Sequence, residues 1–279
     1  MQPQLIQWFN KNKRDLPWRN TSPWGVMVSE YMLQQTPVNR VVPIWQQWMA
    51  AWPDAHSLAQ APKSEVIRAW GRLGYPRRAL RLHESAKIIA DQFANQVPSS
   101  YEELLSLPGI GDYTASAIMA FAFGKRSLVL DINIRRLFSR LIDGVETAPA
   151  SISQLERALR TELIPAQQPH LWAAATMEFG ALVCTAKNPD CDACPLQSEC
   201  AWRAMGYPKS EAKPKPKFDG SDRQCRGTIM TRLREQSKAS HEELSTLWPD
   251  VAHFDKALKT LIADGLIETT GKKSYKLAN

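Results

Sequence analysis

The stretch that most constrains this chain is Leu107-Pro108-Gly109-Ile110-Gly111-Asp112-Tyr113-Thr114-Ala115. Tyr101 to Leu107 reads as a short helix before it, and Thr114 to Phe123 is an unbroken apolar helical run after it. Pro108, Gly109 and Gly111 are uncomfortable inside a helix. They dictate a tight hairpin between two helices, with small residues where something must come close to the backbone. The N–H groups of such a turn, at the start of a helix, form a ready anion site. A DNA phosphate fits it, bound directly or through a monovalent or divalent cation. Twenty residues past Gly111 a lone carboxylate, Asp131, sits in the apolar run Leu128-Val129-Leu130-Asp131-Ile132. Taken alone, Asp131 reads as a helix N-cap.

The residues before the hairpin also read as helices. Leu5, Ile6, Trp8 and Phe9 mark a first helix, which Pro17 ends, and Pro23 helps delimit the next. Val26 to Gln35 is a second helix, and Glu30 stands there among Val26, Met27, Met32 and Leu33 at helical spacing. Most glutamates are solvated. This neighbourhood predicts burial instead, and a buried carboxyl has a raised pKa and can carry a proton at neutral pH. Residues 38–95 give several amphipathic helices whose tryptophans belong to the core. Among them, Gly71-Arg72-Leu73-Gly74-Tyr75-Pro76-Arg77-Arg78 is a glycine-rich basic turn. Such turns are usually just solvated, but one that joins two helices and carries an aromatic residue also suits a DNA groove. Further helices are expected near 133–140, 152–163 and 169–183. Period-two strand patterns are hardly visible up to residue 205, so the body is all-α.

Four of the five cysteines crowd into the pattern C-x6-C-x2-C-x5-C, at Cys184, Cys191, Cys194 and Cys200. Zinc usually takes two close pairs, and only 191/194 is one. A single uneven run of four thiols suits a [4Fe–4S] cluster better. Residues 206–222 form a basic Pro/Lys linker. Residues 223–279 read as three helices followed by a β-hairpin with a Gly-Lys-Lys tip, an order that looks like a winged helix. The partner of that unit, DNA or another protein, is not set by the sequence. Cys225, within it, reads as an ordinary thiol.

The chain has 279 residues and a formal net charge of +7. That excess is compatible with an acidic polymer partner. No apolar run is long enough to span a membrane, and the N-terminus lacks a basic-then-apolar signal pattern. A cytoplasmic, nucleoid-associated protein is expected, with no membrane partner and monomeric, and its cysteines are not expected to form structural disulfides.

Hairpin and aspartate at this spacing resemble the helix-hairpin-helix DNA glycosylase superfamily. Residues 1–205 resemble the adenine DNA glycosylases within it. The motifs that carry the resemblance are Leu16-Pro17-Trp18-Arg19, Ser29-Glu30-Tyr31-Met32-Leu33-Gln34-Gln35-Thr36, Gly71-Arg72-Leu73-Gly74-Tyr75, the hairpin with Tyr113, Asp131-Ile132-Asn133, Glu178 and the four cysteines. The resemblance implies a two-lobed helical fold acting on mismatched double-stranded DNA. A helical barrel covers about 22–130, and a cluster lobe combines 1–21 with 131–205. The target base is flipped into the cleft between them.

The resemblance also implies roles. Glu30 protonates the adenine, and Asp131 stabilises the sugar cation or attacks it transiently. Tyr113 and Asn133 hold carboxylates and sugar in place. Trp18, Arg19 and Glu178 line the adenine pocket. Leu33, Gln35 and Thr36 contact the flipped or the orphaned base. Leu107, Gly109, Gly111, Arg72 and Tyr75 meet DNA. Two carboxyl groups of this kind suit N-glycosidic cleavage, where an acid neutralises the leaving purine and an anion stabilises the oxocarbenium ion. Tyr113 stands where bifunctional relatives carry a Schiff-base lysine, so a monofunctional enzyme is expected. Pro76 replaces a second tyrosine usual in the family, and a winged helix replaces the usual 8-oxoguanine-sensing domain. The competing readings are a thymine glycosylase acting on T·G mismatches and a non-catalytic mismatch-binding protein.

Overall fold

The structure, a computed structural model, describes residues 1–211, 217–271 and 273–279. Its helices follow the apolar periodicity closely. In order they are α1 (Gln2–Asn12), α2 (Pro23–Leu33), α3 (Val38–Ala51), α4 (Ala55–Gln60), α5 (Lys63–Trp70), α6 (Arg77–Gln92), α7 (Tyr101–Ser106) and α8 (Asp112–Phe123). Then come α9 (Ile132–Leu141), α10 (Gln154–Glu162), α11 (Pro169–Leu182), α12 (Ala201–Ala204), α13 (Asp222–Glu235), α14 (His241–Ser245) and α15 (Val251–Ala263). Helix α2 starts three residues before the expected Val26, because proline is tolerated at the first helical position. It stops short of Gln35, which takes a left-handed φ of 55°. Pro17 does not end α1. It opens a separate 3-10 turn, Pro17–Arg19.

The chain folds into two compact units. The first comprises 1–27, 99–106 and 110–213. Its core gathers Leu5, Ile134, Leu137, Phe138, Trp172 and Phe179. Helices α1 and α9 both pack on α11. Trp8 meets Phe179 edge-on, with ring centroids 4.9 Å apart. The expected extended linker is pinned here over its first residues. The Ser210 backbone N–H donates to Glu146 at 2.8 Å, and the Trp202 indole donates to the Pro208 carbonyl at 2.8 Å. The middle of the linker, 212–216, lies outside the described residues.

The second unit comprises 28–98, 107–109 and 214–279. Trp48 packs edge-on against Trp52 and Trp70, so these tryptophans are core residues as their periodicity indicated. The C-terminal residues belong to this unit too. Helices α13, α14 and α15 accompany a three-stranded antiparallel sheet in the order β1-β3-β2. Its strands are β1 (Ala239–Ser240), β2 (Ile267–Thr269) and β3 (Ser274–Leu277). Two-residue β1 carries no period-two signal and was not expected. It forms because Ala239 and Ser240 pair with Tyr275 and Ser274. The arrangement is a winged helix. Lys272, half of the expected Lys-Lys tip, lies outside the described residues. Ile67 of α5 is fully buried in the same hydrophobic cluster as Ile229, Phe254 and Leu261. The C-terminal fold is thus seated on α5 rather than hanging from the linker.

Candidate active site and cluster loop

In the second unit, helix α2 carries Glu30 with a 5% exposed side chain. Burial was the expectation from Val26, Met27, Met32 and Leu33, and the whole stretch from Trp24 to Met32 is buried. The next turn, Gln34 to Thr36, is locked by one guanidinium. Arg78 donates to the carbonyls of Tyr31 and Met32 at 2.9 and 3.1 Å. It also donates to the Gln34 carbonyl, to the Thr36 hydroxyl at 3.0 Å and to the Gly74 carbonyl at 3.0 Å. Burial pushes Arg78 down to about 10. Thr36, expected to touch a base, is instead buried, and its hydroxyl donates to the Leu73 carbonyl at 3.1 Å. It braces the loop. Leu33 is half-buried, and Gln35 is exposed at the turn's tip. In the Gly71–Arg78 turn, Arg72 is exposed, and Tyr75 is 46% exposed with a left-handed φ of 45°.

Among the hairpin residues of this unit, Leu107 is only 2% exposed, so its side chain is core and its backbone is left as the part that could meet DNA. Gly109 has φ +85°, and a Cβ there would lie 3.0 Å from Arg81 and Tyr31 atoms. Its smallness is demanded by the protein's own packing. The hydroxyls of Tyr31 and Ser85 both donate to the Pro108 carbonyl and hold the turn in place. Burial holds the Tyr31 phenol well above its usual range.

In the first unit, Gly111 is the N-cap of α8, and a Cβ there would meet nothing within 4 Å. No side chain caps that helix start. The exposed Asp112 carboxylate is engaged sideways by Arg157 at 2.5 Å and Tyr101 at 3.0 Å. Tyr113 is half-buried against the core.

Asp131 is the N-cap of α9, as its position suggested. One oxygen accepts the Ile134 N–H at 2.7 Å, and the other accepts the Asn133 amide at 2.6 Å. Burial pushes its carboxyl up, and these hydrogen bonds with the nearby Arg136 charge offset only part of that. Asn133 in turn accepts from Arg136 at 2.9 Å. Arg136 also donates to the Gly180 and Cys184 carbonyls at 2.6 and 2.8 Å. A continuous chain of hydrogen bonds therefore runs from Asp131 to the first cysteine. Helices α9 and α11 touch closely at Gly180, where an added Cβ would lie 2.6 Å from the Asn133 carbonyl oxygen.

Glu178, on α11, is 3% exposed. It accepts three hydrogen bonds from Arg14, two from the guanidinium and one from the backbone N–H, at 2.7 to 2.9 Å. Arg19 adds an ion pair at 3.2 Å. Burial pushes the Glu178 carboxyl up, but the Arg14 hydrogen bonds and both arginine charges more than offset it and hold it below the usual range. Glu178 thus fixes the half-buried Trp18-Arg19 turn rather than offering an open carboxylate.

All four cysteines line one cavity, together with Leu137, Arg140, Phe179 and Trp202. Among the described residues no three His, Cys, Asp or Glu side chains lie close enough to hold a single metal ion. Burial pushes the Cys184 thiol up and takes Cys194 to about 11, so without a metal centre these would be neutral thiols. Arg140, 1% exposed, donates to the Thr185 carbonyl at 2.7 Å and lies 3.5 Å from the Cys184 sulfur. Such a cation favours a bound, electron-rich thiolate.

Periodicity did not single out Arg14, Arg78, Arg136 and Arg140. Only the i, i+4 spacing of Arg136 and Arg140 on α9 hinted at a shared inward face.

Comparison with known proteins agrees with this geometry. Residues 28–161 match the HhH-GPD superfamily of base excision DNA repair proteins, and 184–200 match the iron–sulfur binding domain of endonuclease III. The donor set and the match together make the cofactor a [4Fe–4S] cluster held by Cys184, Cys191, Cys194 and Cys200. An adenine DNA glycosylase of Mycolicibacterium smegmatis is 45% identical over 99% of this chain and 95% of its own length. The human adenine DNA glycosylase is 38% identical over 71% of this chain, which covers 38% of that protein. A thermostable thymine-DNA glycosylase structure superposes with TM-score 0.68 at 26% identity, covering 73% of this chain and 94% of that one. An endonuclease III–DNA complex shares the fold, with TM-score 0.63 at 22% identity over 73% of this chain and 94% of its own.

Proposed function

Because the chain belongs to the adenine DNA glycosylases of the HhH-GPD superfamily, we propose that it excises adenine mispaired with 8-oxoguanine or guanine in double-stranded DNA. The observation that carries the reading is the buried carboxyl of Glu30 on α2. As the general acid it delivers a proton to the leaving purine at N7. Asp131 supplies the complementary charge. Its two oxygens are held by Ile134 and Asn133, so the carboxylate is oriented before the sugar cation develops. Tyr113 offers no amine, so water takes C1′ and the strand stays intact. The Arg14–Glu178–Arg19 cluster orients Trp18 and Arg19 for the adenine pocket. Gln35, Arg72, Tyr75 and the Gly111 helix start are the DNA contacts. The cluster organises its loop, and the protein acts as a monomer.

The test uses end-labelled duplexes containing A·8-oxoguanine, A·G and T·G, incubated with enzyme and analysed with and without hot alkali. Adenine release, with strand scission only after alkali and no borohydride-trapped adduct, is expected. Thymine release from T·G without adenine release would favour the thymine reading, and no release from any duplex would favour a binding protein. Tyr113→Lys places an amine where C1′ is attacked and should introduce some borohydride trapping.

A further inference from the structure

A cleft of about 1260 Å³ lies within the second unit, between the Gly71–Arg81 stretch and the C-terminal fold. Nine arginines and a single carboxylate, Glu235, line it. Among the described residues only two of the nine, Arg77 and Arg226, pair with a carboxylate, and both use Asp264. Of the rest, Arg78 is spent on backbone carbonyls, and Arg40 and Arg234 donate to the Arg72 and Ile67 carbonyls, which leaves their charge unneutralised. Burial, and then the positive charge of Arg72, pushes Arg234 down to about 10. A wall of guanidinium groups that raise one another's energy is built for an anion that arrives from outside.

Helix α13 forms one side of the cleft, contributing residues from Arg223 to Glu235. Gly227 sits in the middle of that helix and faces the cleft. Glycine weakens a helix interior. Nothing in the protein asks for it, since a Cβ at 227 would meet no atom within 4 Å. Bare backbone on a cleft-lining face lets a bulky ligand approach closely. Thr228 and Thr231 lie along the same cleft, but their hydroxyls donate to the Gln224 and Gly227 carbonyls of α13, so the arginines are left as the donors to an anion. The opposite wall is formed by two turns, one with Gln34 and Gln35 and the other with Arg72 and Tyr75.

Resting on the adenine-glycosylase reading, we infer that this cleft grips the phosphate backbone of the strand opposite the excised adenine. A row of arginines with few carboxylate partners is the signature of phosphate recognition. The cleft is also lined by Gln35, whose expected contacts include the orphaned base, and by Tyr75 of the turn expected to meet DNA, which points to the strand carrying that base as the one held there. The winged-helix fold thus serves through its first helix, α13, and contributes to the hold on the undamaged partner strand.

The full-length holoenzyme is titrated with a duplex carrying a non-hydrolysable 2′-fluoro-adenosine opposite 8-oxoguanine, across a range of salt. Arg223→Gln/Arg232→Gln should lower the salt slope by about two and weaken binding roughly ten-fold at physiological salt. Gly227→Leu, a better helix former placed in open space, should keep or raise the melting temperature while weakening binding. Lys238→Gln/Lys259→Gln, on the same fold but outside the cleft, should change the slope by less. Ethylation interference should lose its signals on the strand opposite the adenine in the arginine variant. Equal slopes for the two double variants, unchanged binding by Gly227→Leu, or lost signals confined to the adenine strand would each overturn the inference. Failure of the wild-type enzyme to excise adenine would instead sink the underlying reading.

Discussion

Two carboxylates on the contacting helices α9 and α11 are treated in opposite ways. Glu178 on α11 is buried, saturated by Arg14 and Arg19 and held below the usual range. Asp131 at the head of α9 is half-buried, held by the Ile134 N–H and the Asn133 amide, and desolvation holds it above that range. The first arrangement lowers the energy of the charged group and serves the fold. The second leaves a carboxylate that would gain from a nearby positive charge, and an oxocarbenium ion supplies one. On the proposed mechanism, the incompletely compensated carboxylate is the chemical one and the fully compensated one serves the fold.

Glu30 is the acid of the proposed mechanism, and its replacement should have the largest effect. Glu30→Gln should cut single-turnover excision by about 10³-fold, within the range for a lost general acid, with duplex binding retained. Normal turnover would remove Glu30 from the chemistry. Asp131→Asn should cost roughly 10²–10³-fold in excision, yet leave the melting temperature unchanged or higher, because it deletes a charge that burial disfavours. A large loss of stability in that variant would erase the contrast.

Glu178→Gln should behave in reverse, losing about 3 kcal/mol of stability, near the lower end for a broken buried pair, because Arg14 is 35% exposed. The sign with pH follows from its depressed value. The stabilisation is present above the unfolded carboxylate range and is lost as pH falls through the lower folded value. Melting curves of wild type and Glu178→Gln should therefore converge in acid. A gap that is constant from neutral to acid pH would show that the clamp is not electrostatic. The smallest effect is expected from Gly180→Ala. It forces the Asn133 backbone aside and should cost about 1–2 kcal/mol, with slower excision through displaced Asp131.

Much of this was legible in the sequence. Helical periodicity, the Pro-Gly hairpin and the cysteine spacing led to the fold class and the cluster, and Val26, Met27, Met32 and Leu33 foretold the burial of Glu30. The buried cations were less legible. Arg78, Arg136 and Arg140 look like surface residues, because a guanidinium satisfied by backbone carbonyls leaves no partner pattern to read. That the side chains of Leu107 and Thr36 turn inward was not legible, because motif position does not say which way a side chain turns. Strand β1 was missed because two residues carry no period, and only pairing with β3 makes them a strand.

The Arg78 guanidinium bears on how damage is searched for. One planar group ties the end of the Glu30 helix to the Gly74 carbonyl in the arginine-rich turn, so the two segments cannot reorder independently. Conformational entropy that a looser pair of loops would surrender on each encounter has already been lost at folding. On the proposed function, inspection of an ordinary base pair would then cost little and end quickly, and the energy difference between a correct pair and a mismatch would fall on the DNA, in how readily its bases unstack. Arg78→Lys keeps the charge but cannot span that set of acceptors. It would shift part of the difference back onto the protein, lengthening the time spent on each undamaged site.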